Sequence, residues 1–123
     1  MNEKIIKYLN QTKTLEFREL LFHYIDRSGL KDSDVYNSVG LDRRLFSKIR
    51  CDSTYIPRKT NILKICISLK LDISDSNHLL ASAGYILSTS DEIDLVFSYF
   101  IENKIYDIDL INQYLYSTYN TVI

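Results

Sequence analysis

The sequence predicts an all-α fold, a compact bundle of about six to seven helices, on three observations. Glycine and proline are scarce, 3 and 1 in 123 residues, too few for the turns of a many-stranded β architecture. Apolar residues return at spacings of three and four along most of the chain. Cap residues, mainly Ser, Thr, Asp and Gly, punctuate those runs where helices would begin and end. At 46% hydrophobic and 25% charged, the composition is that of a globular protein, and the length fits one domain with its own core.

The first helix, Glu3–Asn10, offers Ile5, Ile6 and Leu9, and Thr12-Lys13-Thr14 breaks it and supplies the next N-cap. Leu15–Ser28 places Phe17, Leu20, Leu21, Tyr24 and Ile25 on one stripe, with Gly29 as a left-handed C-terminal cap. Two short helices follow on either side of Gly40: Ser33–Ser38, with Asp32 and Asp34 near its positive end, and Arg43–Cys51, capped by Asp42. Arg43, Arg44, Ser47, Lys48 and Arg50 fall on one side of the latter, and Leu45, Phe46 and Ile49 on the other. Pro57 opens a helix to about Lys70 that is apolar nearly all round, marking the central core helix. Ser74 caps a helix to Ala83, which Gly84 ends. Thr89 and Glu92 have capping-box spacing for Ser90–Asn103, whose stripe is Ile93, Val96, Phe97, Phe100 and Ile101. Asp107 caps a last helix carrying Leu110, Ile111, Tyr114 and Leu115. No repeat or linker interrupts residues 1–123, which read as a single helical domain: a core of about 15–85 and a C-terminal extension of about 89–119.

The net charge of −1 conceals an uneven distribution. Residues 1–41 are balanced. Residues 42–70 carry Arg43, Arg44, Lys48, Arg50, Arg58, Lys59, Lys64 and Lys70 against Asp42 and Asp52, a net +6, and the remainder is net −7. A basic middle in an acidic surround predicts one positive face suited to an anionic partner.

Cys51 and Cys66 lack a CxxC spacing, and Glu3, Lys4 and Lys7 interrupt the early apolar residues, so the expectation is a cytoplasmic protein with free thiols. No apolar run approaches the ~18 residues of a membrane span. The residues do not suggest an enzyme. His23 and His78 share no metal-ligand spacing with each other or with a cysteine, and no phosphate-binding loop, GxGxxG or GxSxG occurs. Glu16/Glu19 and Asp91/Glu92/Asp94 sit at helix starts, where the helix dipole accounts for them. His78, three residues after Asp75, reads as a surface hydrogen bond. No catalytic residue, metal or cofactor is expected.

The order of helices from Leu15 to Tyr85 resembles the lambda-repressor-like, or Xre-type, helix-turn-helix family, over roughly 70 residues. Leu30 stands for the apolar residue before the first motif helix, and Val35 and Val39 for its buried positions. Gly40 is the turn glycine, Leu41 the apolar residue after it, Asp42 the N-cap of the recognition helix, and Phe46 and Ile49 its buried pair. Pro57 and Leu71-Asp72-Ile73 resemble the fourth helix and its exit. The resemblance implies a transcriptional regulator whose helix 43–51 enters the major groove of double-stranded DNA. Arg43, Arg44, Ser47 and Lys48 would face base edges, and Arg50, Arg58 and Lys59 the phosphates. The C-terminal helices would complete the core or form a homodimer. Two positions depart from the family. Tyr36 replaces a small alanine and must either splay the two motif helices or point elsewhere. Lys31-Asp32, followed by Asp34, replaces a phosphate-binding Ser-Gln, and carboxylates there repel phosphate.

Residues 41–50, Ala83-Gly84-Tyr85, residues 97–101 and Tyr106-Asp107-Ile108 also look like a bacterial helical module associated with accessory or defence-type contexts. That resemblance implies an adaptor or inhibitor role with a protein partner, to which the tyrosine-rich end (Tyr114, Tyr116, Tyr119) is suited.

Overall fold

A computed structural model describes residues 1–123 and contains eight helices and no strand. They are α1 (Asn2–Thr12), α2 (Phe17–Ser28), α3 (Asp32–Ser38), α4 (Arg43–Cys51), α5 (Lys59–Ser68), α6 (Ile73–Ser82), α7 (Glu92–Glu102) and α8 (Ile108–Tyr119). Seven of them build the bundle, because α1 has no buried residue. One cluster of 22 buried residues takes side chains from every helix from α2 to α8, so the C-terminal hairpin shares a core with the rest. As its composition requires, α5 is central, with Ile62, Leu63, Ile65, Cys66 and Ile67 buried. It packs against α3 and α6, while α6 also meets α2 and α7.

Three successive helix pairs, α3–α4, α5–α6 and α7–α8, are joined by turns of one construction. Each first helix ends in a left-handed residue, Gly40, Lys70 or Lys104, at φ 68°, 51° and 55°. The next residue donates its N–H back into the last helical turn: Leu41 to the Tyr36 carbonyl at 2.8 Å, Leu71 to Cys66 at 3.1 Å, Ile105 to Phe100 at 2.8 Å. An aspartate (Asp42, Asp72 or Asp107) then caps the second helix by accepting backbone N–H groups of its first turn.

Several boundaries differ from the sequence expectation. Asp72, rather than Ser74, caps α6, and Asp91, rather than the Thr89/Glu92 pair, caps α7 by accepting from Ile93 and Asp94. In both places a carboxylate stands within three residues of the hydroxyl, and the one preceding the first helical residue takes the N–H groups. Glu16, not Thr14, precedes α2, with no side-chain cap. Pro57 lies outside α5 and is buried, its carbonyl accepting from the Tyr85 hydroxyl at 3.2 Å. No helix is long and apolar enough to cross a membrane.

Candidate nucleic-acid interface

Helix α4 has the two faces its spacing predicts. Phe46 and Ile49 are buried and Leu45 half-buried, while Arg43, Arg44, Ser47 and Lys48 are exposed. Tyr36 neither turns away nor is left idle. Its ring is half-buried against Phe46, centroids 5.5 Å apart and planes tilted by 58°, so it is part of the α3–α4 packing. Asp42 accepts the Arg44 N–H at 2.9 Å, and its other oxygen lies 3.4 Å from the Arg44 guanidinium in an open, solvent-washed pair.

Arg43 and Arg44 occupy the first turn of α4, the positive end of its dipole. In α2, α3, α6, α7 and α8 that position holds an acidic residue, Glu19 in α2, Asp32 and Asp34 in α3, Asp75 in α6, Glu92 and Asp94 in α7, Asp109 in α8, whereas α5, which opens on the ion-paired Lys59, has none. Helix α4 has no acidic residue there. Cations at this end oppose the dipole, at ~0.3–1 kcal/mol each when exposed, so the stability of the fold does not account for them.

Of the other predicted cations, Arg58 is exposed at the start of α5, and no carboxylate lies within ion-pair distance of Arg43, Lys48 or Arg58. The ammonium of Lys48 sits 4.5 Å over the Tyr55 ring. Arg50 and Lys59 are engaged within the fold instead. Arg50 lies at the edge of the α4 face and forks onto Asp32 of α3, at 2.5 and 2.8 Å, with its guanidinium 4.2 Å over Phe22 of α2. The hydrogen bonds to Asp32 raise its already high pKa further. The same fork neutralises Asp32, and Asp34 is occupied in accepting the Lys31 N–H at 3.0 Å. Lys59 of α5 meets Asp94 of α7 at 2.5 Å, and the Ser88 N–H donates to the same carboxylate oxygen at 2.9 Å. This joint ties the C-terminal hairpin to the central helix.

Arg18 of α2 was not visible as a participant in the sequence. Its guanidinium donates to the Arg50 carbonyl at the C-terminal end of α4, where a cation complements the dipole. The two residues are 32 apart, beyond any local pattern. Below that end, the hydroxyl and N–H of Thr54 hold the Asp52 carboxyl below its ordinary range and pin the following loop.

The groups discounted for catalysis are placed as follows. Asp75 does not orient His78; it accepts from Tyr24 at 3.3 Å and Arg27 at 2.7 Å, bracing α2 on α6, and both histidines are exposed. Burial pushes the Cys66 thiol up to about 12, whereas Cys51 is exposed. No three His, Cys, Asp or Glu side chains converge as a metal site would require. Compared with protein-family models, with curated proteins and with solved structures, the chain finds no match.

Proposed function

We propose that this protein is a non-enzymatic DNA-binding regulator that lays α4 in the major groove of double-stranded DNA. The observation that carries the reading is the pair Arg43 and Arg44 in the first turn of α4, exposed and electrostatically unfavourable for the helix that bears them. Their forked donors match the O6 and N7 acceptors of guanine, with Ser47 and Lys48 one turn further along the same face. Arg58 stands for phosphate contact. Arg50 and Lys59 leave that role and act as internal braces. The resemblance to the Xre-type helix-turn-helix family supports the same docking, and neither departure from it obstructs the reading, since Tyr36 packs on Phe46 and Asp32 is neutralised by Arg50. A second reading, a protein-interaction module, is favoured by the exposed apolar side chains Leu95, Tyr99 and Tyr114 on α7 and α8.

The test is binding to a pool of random duplexes by fluorescence anisotropy across a salt series. The wild type binds and enriches a preferred sequence, and Arg44→Ala with Lys48→Ala abolishes that preference. Arg58→Ala weakens all sequences alike and lowers the slope of log K against log salt by about 1. Absence of binding at low salt, or a double variant that binds as the wild type does, refutes the proposal.

A further inference from the structure

Helix α1 poses a physical problem that the bundle does not solve. It is 11 residues long, with Ile5, Ile6, Tyr8 and Leu9 along one side, yet none of its residues is buried. Isolated helices shorter than ~12–15 residues are marginal in water, and stability normally comes from packing an apolar face. The apolar stripe of α1 has nothing to pack on within its own chain.

Between α7 and α8 lies an apolar groove with the complementary deficit. Its walls are Leu95, Val96, Tyr99 and Phe100 of α7 and Tyr114 and Tyr119 of α8, around a volume of about 510 Å³. Leu95 and Tyr99 are 44% and 59% exposed, large apolar side chains one turn apart facing solvent. The α7 wall of the groove runs from Glu92 to Phe100, more than two helical turns.

The charges agree with the shapes. Helix α1 carries Lys4 and Lys7 against Glu3, while Lys13 at its exit is paired with Glu16 at 3.3 Å. Glu92 lines the groove, and the exposed charges of the α7–α8 hairpin that carries it are otherwise Asp91, Glu102, Asp107 and Asp109, against Lys104. Glu92 and Glu102 bound the two ends of α7, and lysines flanking an apolar stripe reach such a rim while their stems stay on apolar surface.

We infer that α1 of a second copy of this chain seats in the groove between α7 and α8, so that two copies exchange their N-terminal helices. The exchange is isologous: each copy gives one helix and receives one, which closes the assembly at two. The hinge is the segment Lys13–Glu16 between α1 and α2. The inference does not depend on nucleic-acid binding, since it uses no residue of α4 and is tested with no DNA present.

The measurement is sedimentation equilibrium of the full chain from low to high micromolar concentration. The wild type is a dimer. Ile5→Asp with Leu9→Asp, in α1, is a monomer; so is Leu95→Asp with Tyr99→Asp, in the groove. Both pairs are exposed, so the α2–α8 bundle stays folded in each variant, and circular dichroism should show its cooperative melting transition retained, with a loss of helix signal no larger than the unseated α1 accounts for. An equimolar mixture of the two variants retains one intact helix and one intact groove, and forms a one-to-one heterodimer weaker than the wild-type dimer. A wild-type chain that stays monomeric, the outcome if α1 folded onto its own groove, overturns the inference. So does a dimer that survives either double substitution, or a mixture that yields no heterodimer.

Discussion

Lys59 gives the sharpest separation between a residue that contacts a ligand and one that holds the fold, because its sequence context suggests the first and its surroundings the second. Its side chain is 27% exposed and its partner Asp94 only 7%, with 2.5 Å between the charged atoms. Replacing Lys59 by Met keeps most of the stem and removes the ammonium, leaving the Asp94 carboxylate buried with the Ser88 N–H as its remaining hydrogen-bond donor. Breaking a fully buried pair in this way costs about 3–5 kcal/mol; the quarter exposure of Lys59 lowers the expectation to about 2–3 kcal/mol. For a chain of this size that corresponds to roughly 6–12 °C in melting temperature. The assay is urea unfolding monitored by circular dichroism, with Lys59→Met, Asp94→Asn and the double variant completing a cycle. The double variant should be less destabilised than the sum of the singles, since it leaves no unpaired charge. A Lys59→Met protein as stable as the wild type, or a cycle with additive effects, refutes the structural assignment and returns Lys59 to the surface.

Native protein should react with one equivalent of a thiol reagent, at Cys51, and with a second only on unfolding, because the Cys66 thiol is buried and its pKa is pushed up to about 12; two fast-reacting thiols would contradict the core placement of α5. Lys104→Gly should raise stability by about 0.5–1 kcal/mol in urea unfolding, since it relieves a left-handed residue at φ 55°. A loss of stability there would show that the Lys104 side chain holds the turn.

Much of the fold is legible in the sequence because it rests on local rules. The stripes of α2, α5 and α7 follow from spacing, Asp42 and Asp107 cap where they are expected to, Gly29 takes the left-handed conformation expected of it, and Gly40 and Gly84, placed at a turn and a helix end, adopt it too. Where several cap residues crowd one turn, as in Asp72/Ser74/Asp75 or Thr89/Ser90/Asp91, propensity alone does not choose, and the register of the buried side chains decides. Lysine at the left-handed positions 70 and 104 offers no signal either, because the residue that advertises such a turn is glycine. The candidate interface divides in the same way. Periodicity separates Arg43, Arg44, Ser47 and Lys48 from Phe46 and Ile49, but Arg50–Asp32 and Lys59–Asp94 join residues 18 and 35 apart. Only tertiary structure reveals that two of the seven predicted cationic-face residues are already engaged.

The three hairpin turns have a consequence for how the chain reaches this arrangement. Each joins helices that are neighbours in both sequence and space, so most of the bundle can assemble by closing short loops, and a topology with so little long-range pairing belongs to the class that folds in microseconds to milliseconds. The slower step falls to the pairing of α2 with α6, which must bring together segments separated by the whole of α3–α5 before Tyr24 and Arg27 can find Asp75. Speed is built into the turns, and cooperativity into distant clasps such as this one and the Lys59–Asp94 joint.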